Sequence, residues 1–210
     1  MKDKKFQLPD RIDTSIYDKK VIVALKEKLS KILKESRYEH SIGVAYTAAS
    51  MAMAFGYEPY KAVLAGILHD CAKPYDLEES LQYGKKYGVS FTPYEIQHPA
   101  LIHAKLGAAM VPDLYHVYDQ EILDAIRTHT TGEKAMTDLQ KIIYAADYLE
   151  PGRKPLPNFK RIRQLAFSDL DACVYEIMRD VNEYLLQTGQ EVEQETLEVM
   201  EYYRKVVESR

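Results

Sequence analysis

Cysteine is nearly absent from this chain. Its 210 residues include two, Cys71 and Cys173, which can form at most one disulfide and cannot supply a thiolate-rich zinc site. A reducing, cytoplasmic compartment is the simplest expectation. No stretch approaches the ~18 consecutive apolar residues of a membrane span. The opening MKDKKFQLPDRIDTS lacks an apolar core and does not read as a signal peptide. Neither sign of charge dominates: 28 Lys and Arg stand against 32 Asp and Glu, a net charge of -4. That balance argues against binding to nucleic acid polymers and against a basic membrane-surface role. Alternating strand patterns, internal repeats and low-complexity tracts are missing too. What is present is 46% apolar residues, enough for a sizeable core in one domain.

The apolar residues fall at helical spacing almost everywhere. In KKVIVALKEKLSKILKES the stripe is Ile22, Leu25, Leu29, Ile32 and Leu33. Further helices are expected from Arg37 to Phe55, from Pro59 to about Cys71, and over DLEESLQYGKKYGV. FTPYEIQHPA has two prolines and reads as a loop or broken turn. LIHAKLGAAMV should be helical until Pro112. Asp119 and Thr137 are cap candidates for the two helices that follow. PGRKPLPNF is a loop, and helices over 158–168, 169–188 and 192–208 close the chain. The expected fold is all-α, a single bundle of nine or ten helices over 18–210, with an irregular segment over 1–17.

Some polar residues sit where apolar ones belong. Asp70 is three after Ile67 and seven after Val63, on the apolar stripe of its helix, with His69 at the edge. His40 shares a face with Val44, Ala48 and Met51; His103 with Leu106 and Met110; His129 with Ile122 and Ile126; Asp147 with Leu139 and Ile143. A lone histidine on such a face is usually a hydrogen-bonded core residue. A buried, unpartnered carboxylate, however, costs several kcal/mol. Four imidazoles and two carboxylates converging from five helices are most economically explained by metal. These donor types suit iron, manganese, cobalt and zinc, and six of them suggest two ions sharing a carboxylate.

The order His40 … His69-Asp70 … Asp147 resembles the metal-dependent phosphohydrolases of the HD-domain superfamily. RYEHSIGVAYTAASMA, AGILHDCAKPY, HPALIHAKLGA, AIRTHTTG and IIYAADYLEPGR are similar to the bacterial YqeK family, over about residues 18 to 200. The resemblance implies symmetrical hydrolysis of diadenosine tetraphosphate to two ADP, with iron as the expected metal. It implies that His40, His69, Asp70 and Asp147 hold the first ion. Asp70 then bridges to a second ion on His103 and His129. The two ions would activate a water and clamp phosphate oxygens, with His69 and Asp70 at the centre of the catalysis.

His98 competes with His103 but precedes Pro99 and is expected in the loop, as is His116 in DLYHVYD. Lys73 is a candidate for both catalysis and phosphate binding. Arg37, Arg153 and Thr130 are candidates for holding the substrate. Each could equally be a surface or capping residue. The substrate expected is a dinucleoside polyphosphate or a nucleotide, and a homodimer is left open. Rival readings are another HD nucleotidase or phosphodiesterase and, from a different class, a nucleotide-binding module without turnover.

Overall fold

A computed structural model describes residues 6–154, 156 and 158–210 of the chain. Among these residues there are eleven α-helices and no strand: α1 Lys19–Leu29, α2 Glu35–Ala54, α3 Pro59–Leu68, α4 Leu77–Tyr87, α5 Pro93–Gln97, α6 Ile102–Tyr115, α7 Gln120–Thr128, α8 Asp138–Leu149, α9 Phe159–Leu165, α10 Leu170–Gln187 and α11 Gln194–Glu208. A single 3-10 turn, Pro99–Leu101, leads into α6. No helix among the described residues is long and apolar enough to cross a membrane.

Local chemistry sets most of the boundaries. Asp18, Asp119 and Thr137 accept a backbone N–H at the starts of α1, α7 and α8, and Gln140 completes a reciprocal box with Thr137. Three expectations are corrected. The first helix stops at Leu29 instead of running on through the Ile32 position; Leu33 folds back into the core while Ile32 stays exposed. FTPYEIQHPA contains a short helix, because Thr92 and Glu95 form a capping box around Pro93 at the first helical position. The helix expected to end at Pro112 continues to Tyr115. Pro112 forfeits one backbone bond, at about 3 kcal/mol, but Val111 and Tyr115 on that turn are fully buried. Burying such side chains is worth roughly 1.5–3 kcal/mol each, which offsets the loss.

The segment before α1 is irregular over its described residues yet anchored. Ile12 is buried in the core, and its N–H donates to the His116 carbonyl at 2.9 Å.

One contiguous apolar core draws on α1, α2, α3, α6, α7, α8, α9, α10 and α11. Leu106, Ile102, Met110 and Ala72 form a smaller cluster under the α4 tyrosines. Helices α2 and α3 approach each other closely at Gly66. A Cβ on Gly66 would sit 2.5 Å from the Ala45 Cα, so only glycine allows the two backbones this close. That contact brings His40 on α2 beside His69 at the end of α3.

Candidate metal centre

Six side chains meet in the middle of the bundle: His40, His69, Asp70, His103, His129 and Asp147. His40 projects from α2, His103 from the first turn of α6 and Asp147 from the last turn of α8. His69 and His129 are cap residues just past α3 and α7, not members of those helices, and Asp70 lies in the turn beyond His69. This corrects the expectation that every one lies on a helix, and the reason is chemical. The last carbonyls of a helix have no partner within it. His69 Nδ1 donates to the Gly66 carbonyl at 2.8 Å and His129 Nδ1 to the Ile126 carbonyl at 2.7 Å. His103 Nδ1 donates in the same way to Ala100, in the 3-10 turn, at 2.8 Å.

A carbonyl only accepts, so these contacts put a proton on each Nδ1, and a neutral ring then keeps its lone pair on Nε2. His40 follows the same logic with a different partner: its Nδ1 faces Glu150 Oε1 at 3.1 Å. All four Nε2 atoms then point inward. The His103 and His129 Nε2 atoms are 3.1 Å apart. Those of His40 and His69 are buried without a hydrogen bond, although His40 Nε2 lies 2.9 Å from Asp147 Oδ1. Lone pairs and carboxylate oxygens crowded together repel unless a cation lies among them.

Asp70 divides the cluster. Its Oδ2 faces His69 Nε2 at 3.4 Å and His40 Nε2 at 3.8 Å. Its Oδ1 faces His103 Nε2 at 3.0 Å and His129 Nε2 at 3.8 Å. Ligand atoms of His40, His69 and Asp147 all lie within 4.8 Å of one another, as do those of His69, Asp70 and His129. Bonds of about 2.1 Å to a divalent transition metal put neighbouring donors roughly 3 Å apart, so the set fits such an ion.

The electrostatics of the two carboxylates, His103 and His129 fit a cation site, while at His69 the burial penalty is overridden by Asp70, which raises its pKa. Burial disfavours the ionised form of Asp70, but His69 and His103 outweigh it and hold the carboxyl far below the usual range. Burial likewise opposes ionisation of Asp147, and His40, His69, His129 and Arg153 reverse the effect. Burial, helped by His69 and His103, pushes His129 down to about 3, and burial also lowers His103. At neutral pH those two imidazoles stay neutral and able to bind metal.

The cations expected at the site are nearby. Arg37 Nη1 donates to Asp70 Oδ2 at 2.8 Å. Arg153 donates through Nε to the Asp147 carbonyl at 2.9 Å and through Nη2 to Asp147 Oδ1 at 2.5 Å. Lys73 Nζ lies 3.2 Å from both the Ala100 carbonyl and His103 Nδ1; burial lowers its pKa against the pull of Asp70. Thr130 lines a cavity of about 450 Å³ together with His129, Asp147 and Arg153. A second cleft of about 540 Å³ opens on the other side of Arg153, past Arg37, His40 and Glu150. His98 stays outside: its ring stacks on Tyr94 at 4.1 Å and its Nδ1 meets the Tyr94 carbonyl. His116 caps α6 in a left-handed conformation, φ 59°.

Glu150 escaped the sequence reading. It is buried, and its second oxygen accepts the Gly152 N–H at 2.5 Å. Gly43 makes room for it, since a Cβ there would lie 2.6 Å from Glu150 Oε2. The only signal was its place three residues after Asp147, in LEPGR.

Residues 37–152 match the HD-domain family. The chain belongs to that family. It is 37% identical over 182 residues to a Staphylococcus aureus protein named bis(5'-nucleosyl)-tetraphosphatase, symmetrical, covering 85% of this chain and 90% of that one. A Bacillus subtilis protein of the same name is 39% identical over 161 residues, covering 76% and 85%. Among solved structures, an HD-superfamily hydrolase from Clostridium acetobutylicum, described as involved in NAD metabolism, superposes with a TM-score of 0.83 at 31% identity, covering 87% of this chain and 96% of that one. The family and the His/Asp cluster together point to divalent-metal binding.

Proposed function

We propose that this chain is a metal-dependent hydrolase that splits diadenosine tetraphosphate symmetrically into two ADP. The observation that carries the reading is Asp70, whose two oxygens face two separate sets of donors. His40, His69 and Asp147 would hold one ion, His103 and His129 the other, with Asp70 between. When bound, two transition-metal ions, iron in our reading, supply Lewis acidity that acidifies a water and steadies charge on phosphoryl oxygens. The rest falls to the chain's own groups. Arg37 and Arg153 are about one-third exposed, 34% and 38%. Each can therefore keep one edge on its carboxylate and offer the other to a phosphate. Lys73 adds a third positive charge against a polyanionic chain. Thr130 can donate a hydrogen bond at the wall shared with His129.

The names of the relatives support the cleavage position. The test is direct: protein loaded with ferrous or manganous ion is given diadenosine tetraphosphate, and products are resolved at early times. Two ADP are expected. Equal ATP and AMP would refute the symmetrical assignment, and no cleavage by folded, metal-loaded protein would refute the substrate.

A further inference from the structure

The two cavities that meet at Arg153 differ in kind. The first is walled on one side by His129 and Asp147, and elsewhere by the rings of Tyr144, Tyr148 and Phe159 with Ile177 and Val181. The Tyr148 and Phe159 rings lie 5.7 Å apart and 33° from parallel. They are too close for a base to slip between, so they act as one tilted wall. The Arg163 guanidinium packs over the Phe159 ring, 4.5 Å from its centroid. The second cleft passes Ser36, Arg37, Glu39, His40, Glu150 and Gly152, and its one ring, the His40 imidazole, is committed to the metal centre. Arg37 and Arg153 offer donors to phosphate there, against the carboxylates of Glu39 and Glu150, and no free ring is left on which a base can stack.

Diadenosine tetraphosphate is the same at both ends, so nothing in the substrate requires the protein to treat those ends differently. We propose that it does: one nucleoside is held in the aromatic cavity of Tyr144, Tyr148 and Phe159, while the other half is held only through its phosphates in the Arg37 cleft. This rests on the hydrolase reading above. The aromatic cavity is then the base-recognition subsite, for a purine nucleoside diphosphate, and the cleft accepts any group carrying the remaining phosphates. Adenosine 5'-tetraphosphate, which has one nucleoside, becomes a substrate: water adds across the central P–O–P bridge, giving ADP and pyrophosphate.

Two measurements test the inference. Calorimetric titration of metal-loaded protein with ADP should find one tight molecule per chain. Val181→Trp, which fills the cavity, should abolish that binding. Tyr148→Ala, which strips part of the wall, should weaken it about tenfold or more, as loss of a stacked aromatic does. Metal content and thermal midpoint of both variants should match the parent. The second measurement compares kcat/KM for adenosine 5'-tetraphosphate and diadenosine tetraphosphate, expected within about fivefold. Two equal ADP sites, undiminished ADP affinity in folded Val181→Trp, or a loss beyond about a hundredfold with the one-nucleoside substrate would overturn the proposal. Failure of the parent to cleave either compound while still binding one ADP in the cavity would overturn the hydrolase reading instead.

Discussion

Glu150 stands behind only one of the two donor sets, and this makes a quantitative prediction. Glu150→Gln keeps the shape of the side chain and an oxygen for His40 Nδ1–H but removes a buried negative charge. The carboxylate lies 3.1 Å behind Nδ1, which puts it roughly 7 Å from an ion bound at Nε2 once the ring and a bond of about 2.1 Å are added. Coulomb's law at an effective dielectric of about 20 then gives several kcal/mol for a divalent ion. That is an upper bound, because the amide dipole retains part of the interaction. Losing the partner of a metal-binding histidine typically costs about 10–100-fold in affinity, which is about 1.4–2.7 kcal/mol. The donors around His103 and His129 do not touch Glu150, so their ion should shift by less than threefold. Competition titrations of manganous ion against a fluorescent chelator resolve the two steps. One amide oxygen cannot serve both His40 Nδ1–H and the Gly152 N–H, so the metal-free protein should also lose about 1–3 kcal/mol of stability to the donor left unsatisfied. Equal weakening of both ions, or of neither, would refute the argument that Glu150 acts through His40.

Asp70→Asn should cost both ions much of their affinity, because both oxygens of the bridge are altered; elemental analysis that still finds two tightly held ions would end the bridging assignment. Gly66→Val should destabilise the fold by about 1–3 kcal/mol in urea titrations, the usual range for overpacking; a neutral result would contradict the α2–α3 contact. Thr137→Ala should lose about 1 kcal/mol through the α8 cap, with metal affinity unchanged. Arg153→Gln should raise KM for the polyphosphate by tenfold or more while leaving two ions bound, read from steady-state kinetics with parallel metal analysis.

Much of this was legible in one dimension. The helices came from apolar spacing and cap residues, and the six donors stood out because each interrupts an apolar face. Their nearness in sequence to those donors made Lys73, Arg37 and Arg153 candidates, although each read equally well as a surface charge. What periodicity misses is contact across the chain. Glu150 lies 110 residues from the His40 nitrogen that it meets, and a buried glutamate beside Pro-Gly looks like any loop acid. The aromatic cavity is assembled from α8, α9, α10 and the intervening loop, so no single segment announces it. The short helix at Pro93 was missed because prolines read as breakers, although one is well suited to the first turn. The helix through Pro112 was cut short for the same reason.

The imidazoles of His69 and His129 close the open carbonyls at the ends of α3 and α7 with the same rings that aim at the metal centre. Occupancy of the centre is therefore written into the fraying of the backbone. An ion that holds those rings in place also holds the last turns shut, so chelation should speed deuterium uptake at the Cys71 and Lys73 amides, whose bonds to Leu68 and Asp70 lie in the turn that carries the ligands. A mass spectrometer following two short peptides could then serve as a metal gauge that needs neither substrate nor turnover, and could follow loading inside a crude extract.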